Sequence, residues 1–114
     1  MKLLRTCALP LLSLAWTGLL LAQISSTSLR GTVTDPSGSV VSGATVVVQS
    51  TESNIKRTVV TNSLGEYQFQ FLPPGTYVLS VAAQGFERYQ QSSLQLLVNT
   101  PATANVRLRL GTTS

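Results

Sequence analysis

The sequence has no histidine and only one cysteine, and these shortages exclude most catalytic chemistry. With Cys7 as the single thiol, the chain can form neither a Ser-His-Asp triad nor the usual kinds of zinc site. The acidic residues are Asp35, Glu52, Glu66 and Glu87, which are scattered through turn and loop sequence rather than paired like glycosidase carboxylates. We therefore predict that the protein is not an enzyme, with no catalytic, metal-binding or cofactor-binding residue and no cofactor.

The first 22 residues have the organisation of a secretory signal peptide. Lys2 and Arg5 form a positive start, and Ala8–Ala22 is an apolar run of 15 residues. A membrane-spanning helix needs about 20 such residues, whereas a signal peptide needs fewer. We expect cleavage before Gln23 and export to the periplasm, the outer membrane or the cell exterior. The alternative is an uncleaved N-terminal anchor.

The chain that remains after cleavage has no cysteine, because Cys7 precedes the apolar run. Its core must therefore be held by packing alone rather than by disulfides. Six basic and four acidic residues remain, a net charge of +2, and the longest basic run is the dipeptide Lys56-Arg57. We expect no nucleic-acid partner, because such a partner requires a larger basic surface.

Alternating apolar and polar residues predict an all-β fold, a seven-stranded antiparallel β-sandwich. No helix-length periodic segment separates any two strands, which disfavours a parallel α/β sheet. The sixth strand is the least clear, because Leu94, Leu97 and Val98 also fit helical spacing; the strand is favoured by the break at Thr100-Pro101. The predicted strands are Leu29–Thr34, Ala44–Ser50, Lys56–Thr61, Tyr67–Phe71, Tyr77–Ala83, a strand within Phe86–Val98 containing Leu94, Leu96 and Val98, and Ala104–Leu110.

Turn residues divide these strands. Asp35–Gly38 has the residues of a type I turn, and Asn62–Gly65 has an asparagine that can accept backbone hydrogen bonds followed by a flexible glycine. Pro73–Thr76 has proline and then glycine at its centre, which predicts a type II turn with Gly75 at positive φ. This turn joins the two strands of a hairpin.

The aromatic residues are predicted to lie in the core, with one exception. Tyr67, Phe69 and Phe71 alternate with Gln68 and Gln70, which places the three rings on one inward face. Tyr77 lies on the inward face of the next strand, and Phe86 is expected to close one end of the sandwich. Tyr89, between Arg88 and Gln90, is the one ring expected at the surface, and a single ring makes a poor platform for a sugar.

The pattern resembles the carboxypeptidase regulatory-like domain family, which has a transthyretin-like, carbohydrate-binding-like fold. The resemblance extends over residues 29–110 and includes turn glycines and inward residues such as Gly31, Val33, Gly65, Tyr67 and Tyr77. The sequence of Leu72–Tyr77 and of Gly85-Phe86 most resembles that of the N-terminal domain of TonB-dependent outer-membrane receptors. The expected organisation is a signal peptide (1–22), a leader (23–28), the domain (29–110) and a tail (111–114).

The resemblance implies a non-catalytic accessory module of an exported protein, with other domains or an outer-membrane protein as its partner. The alternative is a free-standing carbohydrate- or surface-binding module, for which carbohydrate is a weakly supported ligand. A pilin-type Lys–Asn crosslink is not expected, because valines stand at the lysine and acid positions, Val33 and Val81, although Asn105 is present. Arg107 and Arg109 are interpreted as a solvated strand edge rather than an anion site.

Overall fold

A computed structural model describes residues 25–111, in which all the regular secondary structure consists of β-strands, joined by turns and loops. The signal-peptide prediction and most of the predicted tail lie outside the described residues. None of residues 25–111 belongs to a helix long and apolar enough to cross a membrane. The strands are β1 (Thr27–Thr34), β2 (Thr45–Ser50), β3 (Lys56–Val60), β4 (Glu66–Leu72), β5 (Gly75–Ala82), β6 (Tyr89–Leu96), β7 (Ala102–Thr103) and β8 (Val106–Arg107).

Two four-stranded sheets pack into the predicted sandwich. Sheet I has the order β4-β1-β7, with β8 also paired to β1, and sheet II has the order β3-β2-β5-β6. The two ends of the sandwich are named here by their turns. The Pro36 end holds residues 35–44, 61–65 and 83–88, and the Pro73 end holds residues 51–55, 73–74 and 97–101.

The last strands run parallel to β1, whereas the other pairs in both sheets are antiparallel. The reason is the path of the chain. β6 finishes at the Pro73 end, residues 97–101 cross there from sheet II to sheet I, and β7 then starts beside the start of β1. The chain therefore enters the sandwich at the Pro73 end and leaves it at the Pro36 end.

The predicted final strand, Ala104–Leu110, is shortened to β8, and the two-residue β7 precedes it, so the sandwich has eight strands rather than seven. Between β7 and β8 the side chain of Asn105 replaces a backbone carbonyl, because its Oδ1 accepts the N–H of Thr32 at 3.0 Å. The displaced carbonyl of Ala104 accepts the hydroxyl of Tyr67. The pairing offset with β1 is the same on both sides of this break.

Gly31 leaves the space that the displaced carbonyl needs. A Cβ atom at this position would lie 2.0 Å from the Ala104 oxygen and 2.9 Å from the Tyr67 ring. The glycine of β1 is therefore required by the close approach of a neighbouring backbone rather than by a turn.

The core is apolar and is built from alternate residues of both sheets, as predicted. The only buried polar residues among those described are Thr27 and Thr61, and both have hydrogen-bond partners. The buried apolar residues are Leu29, Val33, Val41, Ala44, Val46, Val48, Tyr67, Phe69, Leu72, Tyr77, Leu79, Val81, Leu96, Val106 and Leu108.

The first two predicted turns are confirmed. At the first, the N–H of Gly38 donates to the Asp35 carbonyl at 2.9 Å, and Asp35 Oδ1 accepts from Ser37 and Ser39. The bond from the Ser37 hydroxyl is the main reason that the pKa of Asp35 is lowered. At the second, Asn62 Oδ1 accepts two backbone N–H groups, and Gly65 has a φ of +73°.

The loop at Pro73 differs from the predicted type II turn. Gly75 has positive φ, as expected, but its value of +150° is far from the roughly +80° of a type II turn. The N–H of Thr76 donates to Glu52 Oε1 at 3.3 Å, and the Pro73 carbonyl accepts the hydroxyl of Tyr77 at 2.6 Å. Side chains thus replace the backbone bond that would close a type II turn.

The sixth segment is a strand, as favoured, but it ends at Leu96. Val98, predicted to continue the alternation, lies in the crossing turn and is 45% exposed. Leu110 is also exposed, because the last strand has ended before it and only an isolated bridge joins it to Phe86.

A pair of glycine substitutions distinguishes steric from conformational cost. Gly31→Ala should lower the free energy of unfolding by about 3 kcal/mol or more, because its methyl group would overlap the Ala104 carbonyl. Gly38→Ala should lower it by about 1 kcal/mol, because its φ of +92° is unfavourable but no atom lies within 4 Å. Urea denaturation of both variants measures the difference. Equal losses of unfolding free energy would contradict the close approach of the Ala104 carbonyl to Gly31.

Candidate functional site

Three of the four acidic residues accept hydrogen bonds in or beside a turn or loop. Besides Asp35, Glu52 supports the Pro73 loop and Glu66 accepts a weak bond from Asn62 at 3.4 Å. No three histidine, cysteine or acidic side chains within residues 25–111 come close enough to hold a metal ion. The positions required for a Lys–Asn crosslink are the fully buried valines Val33 and Val81.

Arg107 of β8 uses its guanidinium within the fold, whereas Arg109 follows β8 and is exposed. Arg107 donates from Nη2 to the Pro36 carbonyl at 2.6 Å, so its guanidinium holds the first turn against β8. The backbone carbonyl of Arg109 accepts the N–H of Glu87 at 2.8 Å.

The predictions for the aromatic rings are confirmed except at Phe71 and Tyr89. Tyr67, Phe69 and Tyr77 are buried, and Phe86 packs half-buried against the core at the Pro36 end. Tyr89 also packs half-buried against the core, so the prediction that it is the exposed ring is wrong. The exposed ring is Phe71, of which 72% is accessible to solvent.

The buried tyrosines act as neutral hydrogen-bond donors. Loss of solvent is the main reason that the pKa of Tyr67 is raised, and the same cause raises the pKa of Tyr77. Each hydroxyl donates to a backbone carbonyl, that of Ala104 or Pro73. Their role is to satisfy backbone groups at strand ends.

A β-bulge in β4 turns Phe71 outward. Leu29 pairs with Phe69 and Thr27 pairs with Leu72, so one residue of β1 faces two residues of β4. The extra residue reverses the alternation, and Leu72 takes the inward position with no exposed surface. Phe71 has a φ of +55°, in the left-handed region, which is unfavourable for a residue with a large side chain.

Arg57 of β3 holds the bulge in place. Its Nη1 donates to the Gln70 carbonyl at 2.8 Å, and its Nη2 donates to the Phe71 carbonyl at 2.9 Å. Arg57 is paired with Val48 and therefore lies on the inward face of an edge strand. From there the planar guanidinium reaches across to sheet I, and its two parallel donors match the two carbonyls of the bulge.

Phe71 stands in a groove of about 330 Å³ on the outer side of sheet I, which we call the Phe71 groove. Opposite Phe71 lies Asn99, which also has a left-handed backbone, with a φ of +52°. The N–H of Asn99 donates to the Ser26 carbonyl at 3.0 Å, which fixes that wall. The groove is lined by Ser26, Thr27, Ser28, Gln68, Gln70, Phe71, Asn99, Thr100 and Pro101, and none of these carries a charge.

A second groove continues from the first along the same sheet. It has a volume of about 620 Å³ and shares Gln68 with the Phe71 groove. Arg30 and Glu66 lie in it, together with the amides of Asn62 and Asn105. The second groove also reaches Val59 and Val60 of β3, so its lining is mixed, whereas the exposed aromatic ring is in the Phe71 groove at the Pro73 end.

Comparison with known proteins shows a family and a fold. Residues 28–109 match the carboxypeptidase regulatory-like domain family. A curated relative, the TonB-dependent transporter Oar of Myxococcus xanthus, is 39% identical over 89 residues, which are 76% of this chain and 8% of the relative. The chain thus spans less than a tenth of that protein's length.

Solved structures with low sequence identity share the fold. Catechol 1,2-dioxygenase from Pseudomonas arvilla C-1 has a TM-score of 0.65 at 13% identity, covering 82% of this chain and 55% of the enzyme chain. The Bacillus anthracis TIE protein has a TM-score of 0.64 at 20% identity, covering 75% of this chain and 17% of that chain. A proposed carbohydrate-binding protein from Bacteroides uniformis has a TM-score of 0.58 at 17% identity, covering 73% of this chain and 41% of that chain. At these identities the likeness shows the fold alone.

Glycine at position 71 should keep or raise stability. Phe71→Gly removes left-handed strain and little buried surface, so the free energy of unfolding should be unchanged or rise by up to about 1 kcal/mol. Phe69→Gly, two residues earlier in the same strand, should lose about 4 kcal/mol or more, because its ring is in the core. Urea denaturation tests both, and a loss above about 2 kcal/mol at Phe71 would contradict the bulge.

Removal of the guanidinium should loosen the bulge. Arg57→Ala should lower the free energy of unfolding by about 1–2 kcal/mol, because two carbonyls lose charged donors. Lys56→Ala is the matched control on the same strand and should change stability by less than about 0.5 kcal/mol. Equal effects of the two substitutions would show that the contacts of Arg57 do not support the fold.

Proposed function

Because the chain belongs to the carboxypeptidase regulatory-like domain family, we propose that it is an exported, non-catalytic interaction domain of a TonB-dependent outer-membrane transporter. In this role it stands N-terminal to the transporter, or is a truncated copy of that arrangement. The observation that carries the proposal is the 39% identity with part of the Oar transporter. Transport itself would belong to other parts of such a protein.

The path of the chain suits a domain placed in series with others. Residue 25 lies at the Pro73 end and residue 111 at the Pro36 end, where the N–H of Gly111 donates to the Gly85 carbonyl at 3.0 Å. In the proposed arrangement the mature N-terminus lies at the Pro73 end, and a transporter joined after residue 111 would extend from the opposite, Pro36 end.

Cell fractionation and N-terminal sequencing of the protein from its own host test this role. We expect recovery with the outer membrane and a mature N-terminus at or near Gln23, because Ala8–Ala22 is short for a membrane span. Leu14→Arg should block export by placing a charge in the apolar run, whereas Leu14→Ile should not.

Three results would contradict parts of the proposal. A protein with intact Met1 in the inner membrane would show an uncleaved anchor. A cytoplasmic protein would refute export. A mature protein found free in the periplasm or medium would instead support the alternative, a free-standing surface-binding module.

A further inference from the structure

Phenylalanine is energetically unfavourable at position 71, both in its backbone conformation and in its exposure. The bulge requires one residue in the left-handed region, where glycine or asparagine has little strain, yet a phenylalanine with 72% of its surface in water stands there. The ring contributes little to the core, because Leu72 fills the inward position. A strained residue that folding does not require is a reason to look for a ligand.

The surroundings of the ring define what that ligand can be. The amides of Gln68, Gln70 and Asn99 each present a donor and an acceptor, and Ser28 adds a hydroxyl. The described lining residues of the Phe71 groove itself include no basic or acidic side chain, so an anionic group finds no opposite charge there. In the second groove the one basic residue, Arg30, is accompanied by the acidic Glu66, so that lining has no net charge. A volume of about 330 Å³ lies at the lower end of the range for small-molecule sites.

We infer that the Phe71 groove binds a neutral carbohydrate chain, with one sugar ring stacked on Phe71. A single ring alone is a poor platform for a sugar, so the proposal requires that the surrounding amides bond the sugar hydroxyl groups as well. The apolar C–H face of a sugar ring matches the aromatic ring, and its adjacent hydroxyls match groups that both donate and accept. The second groove, which shares Gln68, gives the chain a path along sheet I. A chain rather than a single sugar is therefore the expected ligand.

Arg57 is a positioning residue for this site. It does not line the Phe71 groove, but its bonds to the Gln70 and Phe71 carbonyls fix the direction in which the ring projects. The crossing turn fixes the opposite wall, because the Thr27 hydroxyl donates to the Thr100 carbonyl at 2.8 Å. Both walls are thus set before a ligand arrives, which reduces the cost of ordering on binding.

Titration of the purified full chain tests the site, with backbone amide shifts in NMR as the readout. The probes are the neutral polysaccharides dextran, laminarin and xylan, the anionic polysaccharide alginate, and a polyproline peptide. We expect saturable binding of at least one neutral polysaccharide at millimolar concentration or below, with shifts at Ser28, Gln70 and Asn99, and no binding of alginate.

Variants separate the ring from the fold. Phe71→Gly should reduce affinity about tenfold or more while the protein stays folded, and Phe71→Trp should retain binding. Leu97→Ala, which truncates another exposed apolar side chain at the same end but outside the groove, is the control and should leave affinity unchanged. Arg57→Ala should weaken binding without abolishing it.

The inference is overturned if no neutral polysaccharide gives saturable shifts, if only alginate binds, if the polyproline peptide takes the groove instead, or if Phe71→Gly binds as well as the original chain. The inference does not depend on the proposed attachment to a transporter. The fractionation experiment tests only the transporter role, and the titration tests only the Phe71 groove, so either proposal can fail without the other.

Discussion

The contact between the Arg57 guanidinium and the two carbonyls of the β4 bulge is the interaction on which the surface of this domain depends. It joins the edge of sheet II to the edge of sheet I, and it satisfies two backbone oxygens that face no neighbouring strand. The bulge that it supports allows Phe69 and Leu72, three residues apart, to point into the same core. That arrangement places one residue, Phe71, in the left-handed region, and it leaves the ring of that residue exposed.

The same device, a side chain that replaces a missing backbone partner, recurs at other interruptions of the strand pairing. Tyr67 and Asn105 take over the bonds at the break between β7 and β8, and Tyr77 takes over the carbonyl of Pro73. Each break in a ladder leaves polar groups that would otherwise be unsatisfied, and such groups are costly when they lose water. Closure by specific polar bonds therefore complements the apolar core.

Alternation of residues was enough to predict the sandwich, the order of its elements and most of the core. It failed where a single residue changes the register. Phe71 and Leu72 are both large and apolar, so alternation alone cannot decide which of them points inward. The deciding contact comes from Arg57, 14 residues away from Phe71. Two adjacent large apolar residues before Pro73 were the available signal.

The break at Ala104 was invisible for a similar reason. Ala104, Val106 and Leu108 alternate regularly, and only the close approach of Gly31 and Tyr67 reveals why the carbonyl between β7 and β8 turns inward. Tyr89 was expected at the surface because its neighbours are polar, but edge strand β6 brings it against the core. The exposed ring was therefore predicted at the Pro36 end, as Tyr89, but lies at the Pro73 end, as Phe71. The candidate site changes position accordingly.

The direction of the Phe71 side chain is the central claim, and nuclear Overhauser effects between protons measure it directly. The account predicts contacts from the Phe71 ring to outward residues beside the bulge such as Ser28 of β1, and contacts from the Leu72 methyl groups to buried residues such as Leu29. Contacts from the Phe71 ring to Leu29, with the Leu72 methyl groups in water, would show an unbroken alternation and would contradict both the bulge and the groove.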